Sequence, residues 1–593
     1  MKKLKIILSF LFILFSVFTA FLPCLNNGFV NWDDPDHVTG ESAVHVLSSP
    51  NLKEIFTSFS SGEYQPITTL SFLLDYHVWK LNAFGYHLTS LILHAVNCLL
   101  IFWLIFILTK DIFASLITAL LFGIHPLQVE AIGWITQRKT EVYALFFLGS
   151  IIAYLYYLKN NSAGKFYFFS LILFILSLLS KPMAVTLPIV LLMVDYFEGR
   201  KISKIVFIEK IPFFILSLIF AIIAIYGHSL ARFIRHVDAP SLFSNIMIAS
   251  GSIIFYLQKL FFPVKLSVLY PYHGLENTGL PLFLYSLFAL FILIMVIIFS
   301  GRCTKKIIFG SSFFLITLLP VLQFVPIGVA IVNDHYAYIS SIGIFFIISE
   351  GIVWLFSKRL KGHSLARLIL LSIITALIFV LFSLTGQRCK VWKNSTTLWN
   401  DVLSNYPNAD IAYNNRGAEF LLHKQYGMAY EDFVKALSIN PDCLPAFINL
   451  ARVYDYSGKY KEAIEYCSKA LEIDPASLEA YELLRALYDK TGNYAKAINI
   501  DKEIIKKYPN YALGYCNLCS AYGTAGNLKE AIAMCKKSLE INPDLALAHM
   551  KLSVAYFYTK EYAKSIEECR KAMELGYNPP KEFLESLKQE SPK

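Results

Sequence analysis

The chain has 593 residues and a formal net charge of +10, with 56% hydrophobic and only 16% charged residues. This composition excludes an ordinary soluble protein, because soluble domains carry about 25% charged residues. The positive charge does not indicate a nucleic-acid partner, since most of the excess Lys and Arg lies in short loops between apolar runs. The apolar runs stop near residue 386, so we predict a membrane domain over 1–386 and a soluble region after it.

The N-terminal segment 1–24 has a basic start and an apolar core but no convincing signal-peptidase site. We interpret it as an uncleaved signal anchor whose basic end, residues 2–5, is cytoplasmic. A helix that crosses a membrane needs about 20 apolar residues. By this measure we predict about eleven spans, at 5–23, 87–108, 112–125, 140–158, 166–180, 183–197, 205–227, 282–299, 307–326, 339–357 and 366–385.

The basic loops agree with this topology. The motifs RKISK, RCTKK and SKRLKGHSLAR all fall on the predicted cytoplasmic side. The odd number of spans places everything after residue 386 on the extracytoplasmic side. The segment 246–262 would reverse the later loops if it crossed the membrane, so we predict an interfacial or re-entrant helix there. Compact loops favour a prokaryotic plasma (inner) membrane, although an endoplasmic reticulum protein would show the same topology.

The first outer loop, 24–86, begins with the acidic stretch NGFVNWDDPDHVT at 27–39. Three carboxylates beside a membrane span cost free energy unless they serve a function. The adjacent Asp33 and Asp34 suit a general base or, if a divalent cation is bound, its ligands. The alternative is a solvated turn without chemistry.

Further polar residues fall on the same outer side. The run 112–124 is too short for a full span, so the polar residues that follow it lie below the outer membrane surface unless they line a cavity. A solvated face or a lipid-headgroup contact is the alternative for each cation alone. As a set, the residues predict a polar cavity that faces Asp33, with the members His125, Glu130, Arg138, Lys139, Lys181, Arg232, Arg235, Asp334 and His335.

The soluble region repeats every 34 residues, as shown by Pro407, Pro441, Pro475, Pro509 and Pro543. This is the tetratricopeptide pattern, and it predicts about five helical hairpins over 410–579 that stack into an α-solenoid. Residues 387–409 form a connecting segment and 580–593 a C-terminal tail. The Cys516–Cys519 spacing predicts core packing, with a disulfide as the alternative. Tetratricopeptide solenoids bind peptides or proteins, so we expect a protein or peptide acceptor.

Carboxylates facing cations across a cavity that opens to lipid suit glycosyl transfer from a polyprenyl-phosphate sugar. The acceptor hydroxyl needs a base, and the departing lipid phosphate needs positive charge. The motifs then show a resemblance. The chain resembles GT-C glycosyltransferases, and more closely the transmembrane and tetratricopeptide-repeat O-mannosyltransferases, in FVNWDD at 29–34, YQPITTL at 64–70, NAFGYHL at 82–88, HPLQVE at 125–130, KP at 181–182 and NDHYAY at 333–338.

The resemblance implies an inverting transfer in which Asp33, in preference to Asp34, is the base. It also implies Arg contacts to the lipid phosphate, yet this chain has Gln65 and His335 where the relatives often carry Arg. The phosphate role is then expected to shift to Lys181 with His335 and to the remaining outer cations Arg138, Lys139, Arg232 and Arg235. The alternative function is a membrane-anchored scaffold without enzymatic activity. A transporter should show internal repeats and midplane charges, which this sequence lacks.

Overall fold

The structure is a computed structural model. It divides into two compact units, Met1–Pro407 and Asn408–Lys593. Helices dominate the described residues, which contain no β-strand and only two isolated bridges, so the predicted all-α class is confirmed. The structure describes residues 2–40, 44–160, 164–201, 203–230, 242–271, 287–289, 291, 294–295, 304–323 and 330–590.

The described α-helices of the first unit are mostly apolar. They are α1 (Lys2–Phe21), α2 (Ser49–Thr57), α3 (Pro66–Trp79), α4 (Ala83–Thr109), α5 (Ile112–Gly123), α6 (Val129–Gly133), α7 (Arg138–Lys159), α8 (Gly164–Leu178), α9 (Leu187–Phe197), α10 (Lys204–Ile208), α11 (Ile211–Leu230), α12 (Leu242–Phe261), α13 (Lys305–Leu318), α14 (Ala337–Trp354), α15 (Ser364–Val391) and α16 (Ser395–Asn405).

Among the described residues, six helical segments are long and apolar enough to cross a membrane, and α5 with the helix after it makes a seventh, bent span. These helices mark a membrane protein. The predicted spans 166–180 and 183–197 form the shorter apolar helices Gly164–Leu178 and Pro182–Phe197, and 307–326 shortens to α13. Polar residues and prolines end these helices early, which a hydropathy window does not register. The predicted span 282–299 lies almost wholly outside the described residues.

The bend after α5 has a local cause and corrects one prediction. The two halves of the pair meet at 54°. Pro126 lacks a backbone donor, and the side chain of His125 takes over part of the cap, its Nδ1 accepting from the Leu127 N–H at 3.2 Å. Its Nε2 lies 3.1 Å from the Leu260 carbonyl. Both ring nitrogens are therefore used within the fold, so His125 is a buried capping residue rather than a cavity residue.

The connecting segment packs on the first outer loop through tryptophans. Trp399 contacts Trp32 edge to face at 5.2 Å, and its indole N–H donates to Asn31 Oδ1 at 2.7 Å. Trp392 stacks on Trp134 at 5.7 Å. This aromatic packing joins chain segments more than 350 residues apart and holds the acidic stretch against the turn before α7.

The second unit is built from helical hairpins in the predicted 34-residue period. The helices are α17 (Asp410–Leu422), α18 (Tyr426–Ile439), α19 (Leu444–Tyr456), α20 (Tyr460–Ile473), α21 (Leu478–Lys490), α22 (Tyr494–Lys507), α23 (Ala512–Thr524), α24 (Leu528–Ile541), α25 (Ala546–Tyr558), α26 (Tyr562–Glu574) and α27 (Lys581–Glu590). The turn inside each hairpin needs a positive φ, which favours glycine. This conformation recurs at Lys424, Gly458, Gly492, Gly526 and Lys560.

The close crossing inside each hairpin is filled by a different residue pair in each repeat. The two members are always 16 residues apart, and they are Gly417 with Phe433, Ala451 with Cys467, Arg485 with Asp501, Cys519 with Cys535, and Ser553 with Cys569. In the fourth repeat the pair is a disulfide, with a Cα–Cα distance of 5.4 Å. Both cysteines are buried in the core, as predicted, but Cys519 also bonds Cys535 on the facing helix, whereas Cys516 is a free thiol.

Candidate active site

The two adjacent aspartates of the outer loop have different surroundings. Asp34 is 1% exposed, and its carboxylate accepts from the Val30 N–H at 2.9 Å, the Thr136 N–H at 3.1 Å and Thr136 Oγ1 at 2.6 Å. Burial raises the pKa of Asp34 to about 6, although these hydrogen bonds oppose the rise. A carboxylate whose oxygens are occupied by the protein is an anchor: Asp34 ties the outer loop to the turn before α7.

Asp33 carries no such ties. Its carboxylate is partly exposed and accepts no hydrogen bond from any residue that the structure describes. The surrounding protein desolvates it, which raises its pKa to about 7, while the positive charge of Lys139 acts in the opposite direction. A general base works best when its pKa lies near the operating pH. Of the two predicted residues, Asp33 therefore has the geometry and the protonation behaviour of a base.

Lys139 pairs with a carboxylate that the sequence analysis did not select. Its Nζ lies 2.5 Å from Glu63 Oε2, and Lys139 itself is buried. Burial is the largest single influence on Glu63 and would raise its pKa. The charge and hydrogen bond of Lys139, together with the charges of His37 and Lys181, outweigh burial and lower that pKa to about 2. The signal available in the sequence was the position of Glu63, immediately before the YQPITTL segment that carries the family resemblance.

The loop holds a neutral histidine between Asp33 and this ion pair. The backbone N–H of His37 donates to the Asp33 carbonyl at 3.2 Å. Its ring Nδ1 accepts from Ser60 Oγ at 3.1 Å and from Gln65 Nε2 at 3.3 Å. Burial, together with the charge of Lys139, lowers the pKa of His37 to about 4. Gln65, which we predict from the sequence as a polar residue of the cavity, thus lies beside the acidic stretch.

Lys181 is the second buried cation. Its Nζ donates to Thr140 Oγ1 at 2.8 Å and to Gln137 Oε1 at 3.4 Å, and it lies 5.8 Å from the centre of the Tyr336 ring. Within the described part of the chain it has no carboxylate in ion-pair contact. Burial and the nearby charge of Lys139 lower the pKa of Lys181 to about 7. A nearby anion would act in the opposite direction, because an opposite charge favours the charged form.

Glu130 and Asp334 form a second group of polar contacts, around His335. Glu130 Oε1 lies 2.7 Å from His335 Nδ1, and Glu130 Oε2 accepts from the backbone N–H of Asp334 at 3.0 Å. Asp334 Oδ1 in turn accepts from the Tyr270 hydroxyl at 2.7 Å. The two carboxylates therefore orient the segment rather than line open space. His335 retains one ring nitrogen, Nε2, without a partner among the described residues, and it lies within electrostatic range of Lys181 and Lys139.

The structure corrects the prediction for Arg138. Its guanidinium is fully buried, 2.7 Å from the Asp75 carboxylate and 2.7 Å from the Tyr86 carbonyl. Its Cζ lies 4.8 Å from the centre of the Phe72 ring, and its Nε donates to Ser90. Because its charge is already paired with Asp75 and the side chain is fully buried, Arg138 supports the start of α7 rather than facing the cavity. Arg232 and Arg235 lie outside the described residues.

Two further residues of this region were not among the predicted site residues. Arg388, in the last turn of α15, pairs with Asp401 at 2.5 Å and acts on Asp334 through its charge. Tyr336 lies between the two ends, interacting electrostatically with Glu63, Glu130 and Asp33. Among the described residues, no group of three or more His, Cys, Asp or Glu side chains is arranged to hold a metal ion.

The second unit contains tetratricopeptide repeats. The family model of the tetratricopeptide repeat matches residues 445–477 and 512–545. A crystal structure of MamA, 24% identical, aligns with 27% of this chain and 93% of its own, at a TM-score of 0.25.

The chain also has relatives that are named as O-mannosyltransferases. The chain is 29% identical over 420 residues to Protein O-mannosyl-transferase F38B6.6 of Caenorhabditis elegans, covering 66% of this chain and 57% of that protein. It is 22% identical over 440 residues to Protein O-mannosyl-transferase TMTC3 of Homo sapiens, covering 68% and 47%. The chain thus spans about half the length of the curated relatives it matches. These relatives confirm that the chain resembles the transmembrane and tetratricopeptide-repeat O-mannosyltransferases.

Proposed function

We propose that this protein is an integral membrane glycosyltransferase. It transfers a sugar from a polyprenyl-phosphate donor to a hydroxyl group of a protein acceptor, on the extracytoplasmic side of the membrane. The observation that carries the proposal is the unbonded Asp33 carboxylate, which lies near a buried cation and carries a pKa of about 7. The names of the relatives support a protein acceptor and favour mannose as the sugar.

In the proposed reaction the acceptor oxygen attacks the anomeric carbon of the sugar. The bond from that carbon to the phosphate oxygen breaks on the opposite face, so the configuration inverts. Asp33 takes the proton of the acceptor hydroxyl as the new bond forms, a contribution of about 10²–10⁴-fold in rate. The electron pair of the broken bond leaves with the lipid phosphate.

The leaving phosphate requires positive charge at the other end of the site. Lys181 suits this role because its ammonium group has only neutral partners among the described residues and lies beside His335. A charge-assisted contact there is strengthened by burial. Lys139, engaged with Glu63, lies between the two ends and moderates the charge of Asp33.

The extracytoplasmic placement rests on two supporting observations. Helix α7 carries Arg138 and Lys139 at one end and Lys159 at the other, about 30 Å away at 1.5 Å per residue. Lys159 belongs to the basic loops that mark the cytoplasmic side, so the candidate site belongs to the opposite face. The disulfide Cys519–Cys535 also favours an oxidising, extracytoplasmic compartment for the solenoid. We propose that the solenoid binds the protein acceptor there.

The test uses the full-length protein in lipid nanodiscs with a radiolabelled polyprenyl-phosphate mannose and hydroxyl-containing peptides. Wild-type protein is expected to label the peptide, and Asp33→Asn to reduce kcat by about 10²–10⁴-fold. Asp36→Asn is the matched control, because it removes the same charge from the same loop at an exposed position. Absence of transfer by the wild type, or undiminished transfer by Asp33→Asn, would contradict the proposal.

A further inference from the structure

A small polar cavity lies beside the ion pair of the candidate active site. Its volume is about 100 Å³, and it lies between α2, the turn after α2 and the start of α3. Its lining residues are Glu54, Ile55, Ser58, Phe59, Ser60, Glu63, Gln65 and Thr69. At about 30 Å³ per water molecule, it holds about three heavy atoms, far fewer than a complete hexose.

The hydroxyl groups that line this cavity donate their hydrogen bonds to other groups of the protein. Ser58 Oγ donates to the Glu54 carbonyl at 2.6 Å, and Ser60 Oγ contacts His37 Nδ1. Thr69 Oγ1 donates to the Gln65 carbonyl at 3.2 Å. None of these hydroxyl protons is left for a ligand.

The groups left over are hydrogen-bond acceptors. The Gln65 amide is oriented by His37, because its Nε2 donates to His37 Nδ1. Gln65 is 3% exposed, and its Oε1 is buried and has no partner among the described residues. Glu63 uses Oε2 for Lys139, which leaves Oε1 available, and the Glu54 side chain is exposed at the rim. A buried acceptor without a donor is unfavourable, so the cavity suits a ligand that donates hydrogen bonds.

The charge balance favours a neutral donor over a cation. Lys139 already compensates Glu63 at 2.5 Å, and a metal ion beside that ammonium group would be repelled. Two neighbouring hydroxyl groups of a sugar match the remaining acceptors, and Phe59 supplies an apolar surface for the ring carbons. The outer end of α11 closes over the same turn, where Tyr226 contacts Phe59 at 6.0 Å.

We propose that this cavity is the subsite that recognises the sugar of the donor, with Gln65 and Glu63 accepting hydrogen bonds from two adjacent hydroxyl groups. Only that edge of the sugar enters the cavity. The ring then lies against the Glu63–Lys139 pair, within reach of Asp33. This assignment rests on the proposed function and adds to it the residues that select the sugar.

The test measures occupancy without requiring transfer. Of the described cysteines, the free ones are all buried, so Ser58→Cys introduces an exposed thiol at the cavity when Cys303, outside the described residues, is changed to serine. The rate of reaction with a small methanethiosulfonate reagent is followed by mass spectrometry on the full-length protein in nanodiscs. The probes are methyl α-mannoside, tetrahydropyran as a ring without these hydroxyls, a threonine-containing pentapeptide, and MgCl2.

Of the four probes, only methyl α-mannoside is expected to slow the labelling of the introduced thiol. Gln65→Leu should raise the half-protecting concentration about tenfold, the effect of one lost hydrogen bond of ordinary strength. Glu54→Ala gives a second, smaller increase at an exposed position that does not challenge folding, and Thr57→Val, an exposed hydroxyl outside the cavity, should change nothing.

Protection by the peptide or by Mg²⁺ in place of the sugar would overturn the assignment, as would equal protection in wild type and in both cavity variants. The proposed function is decided separately. Protection by the sugar without any transfer contradicts the enzyme assignment but not the subsite, whereas transfer without protection contradicts the subsite alone.

Discussion

Lys139 is expected to set the pH range in which Asp33 works as a base. Burial raises the pKa of Asp33 to about 7, and the charge of Lys139 restrains that rise. Because a base must be deprotonated, kcat/KM should fall about tenfold for each pH unit below about 7. Lys139→Met removes the restraining charge, so the acidic limb of the profile should move to higher pH.

The size of the shift follows from the geometry. Lys139 is buried and lies 2.5 Å from Glu63, so its removal leaves two nearby carboxylates, Glu63 and Asp33, without their cation. A nearby opposite charge generally lowers a carboxyl pKa by about 1–3 units, and a like charge raises it. A shift of at least about one unit corresponds to a further tenfold loss of kcat/KM below the limb, with little change near pH 9.

The assay is kcat/KM for peptide mannosylation between pH 5 and pH 9.5, at saturating donor. Lys80→Met is the matched control, since it removes the same charge from an exposed position on the outer loop that carries Asp33. Two results would refute the reasoning. One is a wild-type limb near pH 4, the ordinary value of an exposed aspartate, and the other is a limb that Lys139→Met leaves in place.

Two further predictions concern stability. Arg138→Met should destabilise the membrane unit by about 3–5 kcal/mol, because it leaves the buried Asp75 carboxylate unpaired, and adding Asp75→Leu should restore part of the loss. Thermal unfolding of the wild type and the two variants checks this, and equal melting temperatures would disprove it. Cys519→Ser should destabilise the solenoid by about 3 kcal/mol, the value for a disulfide-closed loop of this length. Reducing agent should destabilise the wild-type protein by the same amount and leave the variant unchanged. A wild-type protein whose stability does not change with reducing agent would contradict the prediction.

The membrane spans show where hydropathy stops being informative. The six long helices were readable because a span needs only length and apolar composition. Other segments have the same apolar composition but are interrupted. The bent pair breaks at His125 after α5, and the two shorter helices are separated by a break at Lys181. Polar groups at membrane depth are tolerated only when neighbouring segments satisfy them, which a sequence window does not reveal.

The two assignments at neighbouring positions show the same limit within the site. Asp33 and Asp34 share one loop, and Arg138 and Lys139 share one helix start, so pattern and charge rank neither member of a pair above the other. Thr136, 102 residues from Asp34 in sequence, donates a hydrogen bond to the Asp34 carboxylate, and Asp75 forms an ion pair with Arg138. The remaining members, Asp33 and Lys139, are the ones whose charges interact.

The sequence by itself determined the all-α class, the apolar membrane part and the solenoid. Period and hydropathy are local properties, and each 34-residue hairpin buries its apolar face on the next copy of the same pattern. Only the tertiary structure decided which aspartate is free, that Glu63 joins the site, that Arg138 leaves it, and that Cys519 bonds Cys535. Those outcomes depend on which groups, distant in sequence, contact a given side chain in the folded protein. A hydrogen bond or ion pair between such groups produces no periodic pattern in the sequence.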